Sequence, residues 1–264
     1  MIPSSKDFNW IIGPVGQAVG FVAEETKIAG TLHRGLMVLK GQEVFLRLAR
    51  ERFQAAGAND ALAGVDQLLA SAPILSQWAT ELQQDDFSTI NKHSLISIWG
   101  AVEVSVEDTV MLVLSKEPTA LARVSSAGID ISKFAPGPVS EDEARRLFTR
   151  LERKLRENLK VGDAYIKLLG LLDVSFTCSG HTLSKLEEIN SVRNCLLHRG
   201  GIIDGRAAQS VGALRPFLGQ QIPITQARYL EYYEAVNTFL SAMMGGVIAS
   251  PHIRTKPTGA NNAT

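Results

Sequence analysis

The apolar residues of this chain recur every three or four positions, which is the period of an α-helix and not of a β-strand. The first run predicts a helix over residues 27–56, and Gly57 and Asn59 after it indicate a stop followed by a new helix start. A second helix is predicted over residues 61–84. We expect a break or a restart at Pro73 inside it, because proline lacks a backbone N–H. The apolar positions of the first run are Leu32, Leu36, Leu39, Val44, Phe45, Leu48, Ala49 and Phe53.

A third, longer helix is predicted over residues 88–115, with Ser88 as its N-cap. Its many β-branched residues lower helix propensity, but their spacing lacks the alternation of a strand. The segment 124–140 is rich in glycine and proline and is predicted to be a loop. The apolar stripe of the third helix consists of Leu95, Ile98, Trp99, Val102, Val106, Val110 and Val113.

The second half of the chain continues the helical pattern. Ser140, followed by three acidic residues, predicts a helix start, and leucine then recurs every fourth residue from Leu147 to Leu159. Another helix is predicted over residues 183–198, ended by Gly200 and Gly201.

The last part of the chain is less regular. Glycine and proline interrupt residues 202–224, so short strands and plain loop both remain open. Thr225 caps a final helix, and the polar tail after Pro251 is predicted to be disordered. With no internal repeat and no pattern of a parallel sheet, the fold class is all-α, a helical bundle.

Composition narrows the function classes. The 27 basic and 27 acidic residues cancel, so no whole-molecule field attracts a polyanion, and any such contact must come from a local basic patch. Cys178 and Cys195 stand in no motif, which excludes a disulfide framework and favours a reducing cytoplasm. The histidines lack metal-ligand spacing and no glycine-rich nucleotide loop follows a strand, so neither a metal nor a cofactor is expected.

The apolar segment 10–23 is a candidate for membrane insertion, but it is interrupted by Gly and Pro and is shorter than the about 20 apolar residues that a span needs. Lys6 and Asp7 before it do not form the basic region of a signal peptide. We therefore expect residues 1–26 to be an N-terminal arm that packs on the domain or on a partner chain, and we expect no membrane association.

The helix over residues 183–198 has two contrasting faces. At about 100° per residue one face is apolar and the opposite face is polar. Asparagine is a poor helix former, so two asparagines in the polar stripe call for a local reason such as an interface or an active groove. The apolar face holds Leu186, Ile189, Val192 and Leu196, and the polar face holds Glu187, Asn190, Ser191, Asn194 and His198.

The run Arg193-Asn194-Cys195-Leu196-Leu197-His198, followed by Gly200-Gly201, resembles the R-N-x-x-x-H motif of the HEPN superfamily. The preceding helix with Glu103 and Glu107 and the irregular segment before a last helix are similar to that family as well. The resemblance covers about residues 88–249. It implies an HEPN-like helical domain there, with a short irregular or hairpin insert before the last helix. The helical extension over residues 27–87 and the tail over residues 250–264 lie outside the resemblance and are predicted from the sequence pattern.

The resemblance also implies chemistry. HEPN nucleases cleave RNA without a metal ion, and dimerisation brings two motifs together across a cleft. By resemblance, His198 is the general acid or base, Arg193 stabilises the phosphate, Asn194 orients His198 and Glu103 fixes Arg193. The expected products are a 2′,3′-cyclic phosphate and a 5′-OH. Further RNA contacts are expected from the basic residues Arg199, Arg206 and Arg215.

Other interpretations of the motif remain open. Arg193 could pair with Glu187 or Glu188 while His198 serves as a cationic helix C-cap. On an ideal helix the two side chains point about 140° apart, so Arg193 must either curl round or reach a site across a dimer. The basic helix that begins at Ser140 is either a solvated face or the rim of an RNA groove. Its basic residues are Arg145, Arg146, Arg150, Arg153, Lys154, Arg156 and Lys160.

Three functions therefore compete. The first is an endoribonuclease of the toxin or defence type, acting as a homodimer on RNA. The second is a non-catalytic HEPN module that binds RNA, serves as a scaffold or works with a regulatory protein partner. The third is a helical interaction protein in which the motif arises by chance.

Overall fold

The computed structural model describes residues 10–132, 134–135 and 137–253. Over these residues the chain is all-α, and its extended segments form isolated β-bridges without a sheet. The helices are α1 (Ile12–Ala55), α2 (Asn59–Gln84), α3 (Ser88–Lys116), α4 (Ala120–Ser126), α5 (Glu141–Arg156), α6 (Val161–Gly170), α7 (Gly180–Arg199), α8 (Gly205–Ser210), a 3-10 helix (Gly212–Phe217) and α9 (Gln226–Ala249).

Helix α3 is the centre of the bundle. It packs against α1, α5, α6, α7 and α9. Its predicted apolar stripe is fully buried, and Trp99 is the largest side chain in that stripe. Because α3 is covered on several sides, its buried positions extend beyond that stripe and include the polar residues Asn91, Ser94, Ser105 and Thr109.

Helices α1 and α2 form an antiparallel hairpin that extends away from the core. Arg50 pairs with Asp66 at 2.7 Å, and Lys40 donates to the side chain of Gln83 at 2.7 Å. The end of the hairpin buries few residues of its own, and many of its large apolar side chains are exposed. We call residues 37–78 of this hairpin the arm.

Two expectations for the first two helices need correction. Helix α1 is continuous through residues 26 and 27, so the predicted N-terminal arm is, from Ile12, the start of α1. Pro14 lies in the first turn, where its missing N–H has no intrahelical acceptor to lose. Helix α2 does not break at Pro73, which is exposed inside a continuous helix. Residues 1–9 lie outside the described residues.

The start of α3 also differs from the prediction. Ser88 is the first residue of the helix, and Phe87 before it adopts a left-handed backbone with φ of 56°. The hydroxyl of Ser88 is buried and accepts a hydrogen bond from Ile224 N at 2.9 Å. Ser88 thus ties α3 to the segment before α9, a contact between residues far apart in sequence that local pattern does not reveal.

Other predicted boundaries agree with the structure. Ser140 forms a capping box with Glu143, Gly200 ends α7 in a left-handed conformation, and Thr225 caps α9. The predicted loop 124–140 begins inside α4, and the insert after α7 contains α8 and the 3-10 helix besides its β-bridges. No prediction covered α6. The tail predicted to be disordered lies, from residue 254, outside the described residues.

The ring of His33 lies where the arm meets the bundle. It is buried, and it stacks on Phe87 with ring centroids 4.2 Å apart. Burial lowers the pKa of His33, and Asn91, Gln226 and Asp86 offset only part of that effect. The folded protein therefore holds this imidazole neutral.

We predict that His33 makes the protein less stable in acid. The unfolded chain takes up the proton near the ordinary pKa of 6.5, so stability is full above that pH and falls as the pH drops below it. Urea unfolding at about pH 7.5 and about pH 5 measures the loss. The decrease in the free energy of unfolding between these two pH values should be smaller in His33→Leu. It should be unchanged in His93→Gln, which alters an exposed histidine. An unchanged loss in His33→Leu would contradict the prediction.

Candidate functional site

Helix α7 is fixed in its rotation by its apolar face. The side chains of Leu186, Ile189 and Val192 are fully buried among the neighbouring helices α3, α6 and α9. The hydroxyl of Ser179 accepts a hydrogen bond from Thr182 N at 3.1 Å and caps the N-terminus. With both its rotation and its start defined, the opposite face of α7 can only point outward.

That opposite face lines a cavity of about 390 Å³. Helix α8 and the end of α5 complete its walls, and we call it the α7 cavity. All five members of the predicted polar stripe lie along it, so the stripe faces a single cavity. The lining residues are Arg156, Glu187, Asn190, Ser191, Asn194, Cys195, His198, Arg199, Asp204, Arg206, Ala207 and Ser210.

His198 is exposed at the mouth of this cavity, in the last turn of α7. Among the described residues it makes no hydrogen bond with Asn194, which lies one turn earlier on the same face. Asn194 Oδ1 instead accepts a hydrogen bond from Arg193 Nη1 at 3.1 Å. The predicted orientation of His198 by Asn194 is thus absent from this arrangement, although both residues border the same space.

Arg193 points to α3 and is absent from the lining of the α7 cavity. Its Nη2 lies 2.8 Å from Oε2 of Glu103, the residue that the family resemblance suggested as its partner. Both side chains are about a quarter to a third exposed. The guanidinium therefore neither curls into the α7 cavity nor extends freely from the surface.

The two glutamates considered as alternative partners of Arg193 are engaged elsewhere. Glu188 is buried and accepts hydrogen bonds from Tyr232 Oη at 2.7 Å and Lys185 Nζ at 3.3 Å. Glu187, also buried, accepts from Val161 N at 2.9 Å and lies 3.4 Å from Ser210 Oγ. Glu187 thereby joins α7 to the start of α6 and to α8 across the floor of the cavity.

Three arginines give the α7 cavity its charge. Arg199 pairs with Asp204 at 3.0 Å, and Arg206 makes no ion pair with any described residue. Arg156 has one guanidinium nitrogen, Nη1, that is buried without a hydrogen-bond partner among the described residues. A cation with an unused donor beside a polar cavity suits an anionic ligand.

Only some of the arginines that were predicted to contact RNA lie at the cavity. Arg199 and Arg206 line it, whereas Arg215 is exposed on the 3-10 helix and is not among the lining residues. Arg156 was predicted only as one of several cations on the helix after Ser140. Its position at the end of that helix, just before α6, is the sequence feature that could have distinguished Arg156 from the other basic residues.

Glu103, the partner of Arg193, belongs to a group of neighbouring acidic residues. Burial raises the pKa of Glu152, and the nearby Glu103 and Glu107 act in the same direction while Arg156 opposes them. Arg145 pairs with Glu107 at 3.1 Å. Arg193 is thus neutralised by its ion pair with Glu103, whereas Arg206 of the α7 cavity makes no ion pair with a described residue.

Among the described residues no cluster of three or more histidine, cysteine or carboxylate side chains could hold a metal ion, and no helix is long and apolar enough to cross a bilayer. Comparison of the chain with protein-family models, curated proteins and solved structures finds no match. What the site can do must therefore be argued from its own side chains: it can bind an anion and transfer a proton through one imidazole.

We predict that Arg193 and Glu103 are energetically coupled. In a double-mutant cycle with Arg193→Ala and Glu103→Ala, urea unfolding should give a coupling of about 1 kcal/mol, because the pair is partly shielded from water. The matched cycle on Arg145 and Glu107 should give less, since Arg145 is 58% exposed. Equal coupling in the two cycles would show that Arg193 is not held in place by Glu103.

Proposed function

We propose that this chain is a metal-independent endoribonuclease of the HEPN type. One observation carries the proposal: a single cavity joins the imidazole of His198 to the guanidinium groups of Arg156, Arg199 and Arg206. Guanidinium groups match the geometry of phosphate oxygens and keep their charge. An imidazole titrates near neutral pH and can accept or donate a proton.

The reaction needs two proton transfers. A base removes the proton of the ribose 2′-OH, the 2′-oxygen attacks the adjacent phosphorus, and the bond to the 5′-oxygen breaks as an acid protonates that oxygen. The products are a 2′,3′-cyclic phosphate and a 5′-OH. Cations that face the phosphorane lower its energy.

One copy of the site supplies too few free proton carriers for both steps. The carboxylate of Glu187 is engaged with Val161 and Ser210, and that of Asp204 with Arg199 and the N-terminus of α8. His198 is then the remaining candidate for proton transfer. A second copy would bring a second His198, so the proposal includes a homodimer in which two α7 cavities face each other.

The proposal assigns phosphate contact to Arg156 and Arg206 ahead of Arg193. Arg193 meets a phosphate only after its side chain leaves Glu103, whereas the other two already border the cavity. A toxin or defence role in the cytoplasm, with a regulatory protein as a further partner, belongs to the same proposal and follows from the family resemblance alone.

The engagement of Arg193 with Glu103 favours a second candidate, a non-catalytic RNA-binding module. In that case the arginines of the α7 cavity hold a phosphate, and Arg193 of the motif serves to fix α7 against α3. Binding without cleavage distinguishes this candidate from the nuclease.

We predict that the purified protein cleaves single-stranded RNA in the presence of EDTA and that His198→Ala lowers the rate at least about a hundredfold. His181→Ala is the matched control, since it removes an exposed histidine from the first turn of the same helix. It should cleave like the wild type. RNA that stays intact while binding is measurable supports the module, and neither binding nor cleavage would refute both candidates.

We also predict that Arg156→Ala and Arg206→Ala weaken RNA binding and flatten its salt dependence. Each lost phosphate contact should reduce the slope of log K against log salt by about 0.7 for single strands. Arg146→Ala, an exposed substitution on the same helix as Arg156, should leave the slope unchanged. Fluorescence anisotropy at several salt concentrations measures the slopes. Equal slopes in all variants would remove the α7 cavity as the binding site.

A further inference from the structure

The outer face of the arm carries an apolar stripe that the described chain leaves uncovered. Met37, Val38, Val44, Phe45 and Leu48 are between 49% and 70% exposed. On an ideal helix Met37, Gly41, Val44 and Leu48 lie within about 60° of one another, with Val38 and Phe45 beside them. We call these six residues the α1 stripe.

Helix α2 covers the opposite side of α1. Leu36 and Leu39 pack against Ala79 and Leu82, and Arg50 pairs with Asp66, which places α2 about 150–180° round α1 from the stripe. The stripe therefore cannot be shielded by its own hairpin. A two-helix arm with one face open gains stability when a further helix covers that face.

The spacing of the stripe is that of a helix–helix seam. Met37, Gly41, Val44 and Leu48 alternate steps of four and three residues, the a and d positions of a heptad. The same series continues to Arg34 on one side and to Glu51 on the other. Neither Arg34 nor Glu51 makes an ion pair with a described residue.

We propose that the α1 stripe pairs with the same stripe of a second copy of this chain, as two antiparallel helices related by a two-fold axis. An axis midway between Gly41 and Val44 sets Met37 against Leu48 of the partner subunit and Gly41 against Val44 of the partner subunit. The same register sets Arg34 against Glu51 of the partner subunit. The register thus places apolar residues against apolar residues and one basic residue against one acidic residue.

The size of the stripe suits such an interface. If all of their exposed surface were buried, the five apolar residues would contribute roughly 550 Å² per chain, or about 1,100 Å² for a pair, which is close to the roughly 1,000 Å² expected of a specific interface. Gly41 opposite Val44 lets the two backbones approach closely at the centre.

This pairing goes beyond the proposed nuclease activity and does not depend on it. Its register is tested by cysteine cross-linking, which a dimer formed through another surface does not reproduce. A Met37→Cys chain mixed with a Leu48→Cys chain should give a disulfide-linked dimer under mild oxidation, because facing residues come within disulfide reach. Neither chain alone should do so, since Cys178 is half-buried and Cys195 buried.

The charges provide a second test of the same register. Arg34→Glu should raise the dimer dissociation constant at least about tenfold through repulsion from Glu51, and adding Glu51→Arg should restore it. Phe45→Glu with Leu48→Glu should halve the mass of the assembly by light scattering, to the 28.6 kDa monomer where the α1 stripe is the sole contact between copies and to a dimer where the α7 cavities also pair. Ile74→Ser with Trp78→Ser, which alters exposed residues on the outer face of α2, should leave the dimer intact.

The proposal fails if the wild-type chain is monomeric at tens of micromolar. A monomeric wild-type chain would refute the pairing even if the stripe were then found to bind vesicles of anionic phospholipid or to be covered by residues 254–264. The proposal also fails if the mixed cysteine chains do not cross-link, or if the Phe45 and Leu48 variant keeps the mass of the wild-type assembly.

Discussion

The burial of one face of α7 against the bundle is the constraint on which the site depends. Leu186, Ile189 and Val192 are fully buried, and rotating the helix to expose them would cost several kcal/mol of apolar burial. With that rotation fixed, every polar residue on the other face is brought to one cavity. Glu187 then secures the floor by tying α7 to the first backbone N–H of α6.

The same rotation of α7 explains why the side chains of Arg193 and His198 point to different surroundings. Five residues apart on a helix, they cannot share a face, so the one that borders α3 finds the carboxylate of Glu103. In place of Arg193, Arg156 of α5 and Arg206 of α8 contribute positive charge to the cavity. Two of its three arginines thus come from other helices, while Arg199 and the imidazole of His198 come from the end of α7.

The sequence predicts those features of the fold and the site that depend on residues close together in the chain, and it misses those that depend on contacts between distant residues. Periodicity located the long helices and the polar stripe of α7, because both arise from neighbours within one helix. The predictions for Pro73 and Ser88 were wrong because contacts between distant residues decide both positions. An exposed proline is tolerated in a helix that packs against its hairpin partner, and the hydroxyl of Ser88 accepts a hydrogen bond from Ile224 N. Arg156 was likewise hidden among equivalent cations, since only tertiary packing distinguishes it.

The two pairings proposed for this chain require different axes. The middle of the α1 stripe lies about 20 residues, or about 30 Å, along α1 from Val22, the last α1 residue of the main hydrophobic core. In the proposed antiparallel register the two bundles lie at opposite ends of the paired arms, so this axis differs from one that brings two copies of His198 together. If both interfaces form, each is isologous, and a closed assembly that uses both is a tetramer with three perpendicular two-fold axes. The arm would then set the spacing between pairs of α7 cavities without taking part in their chemistry.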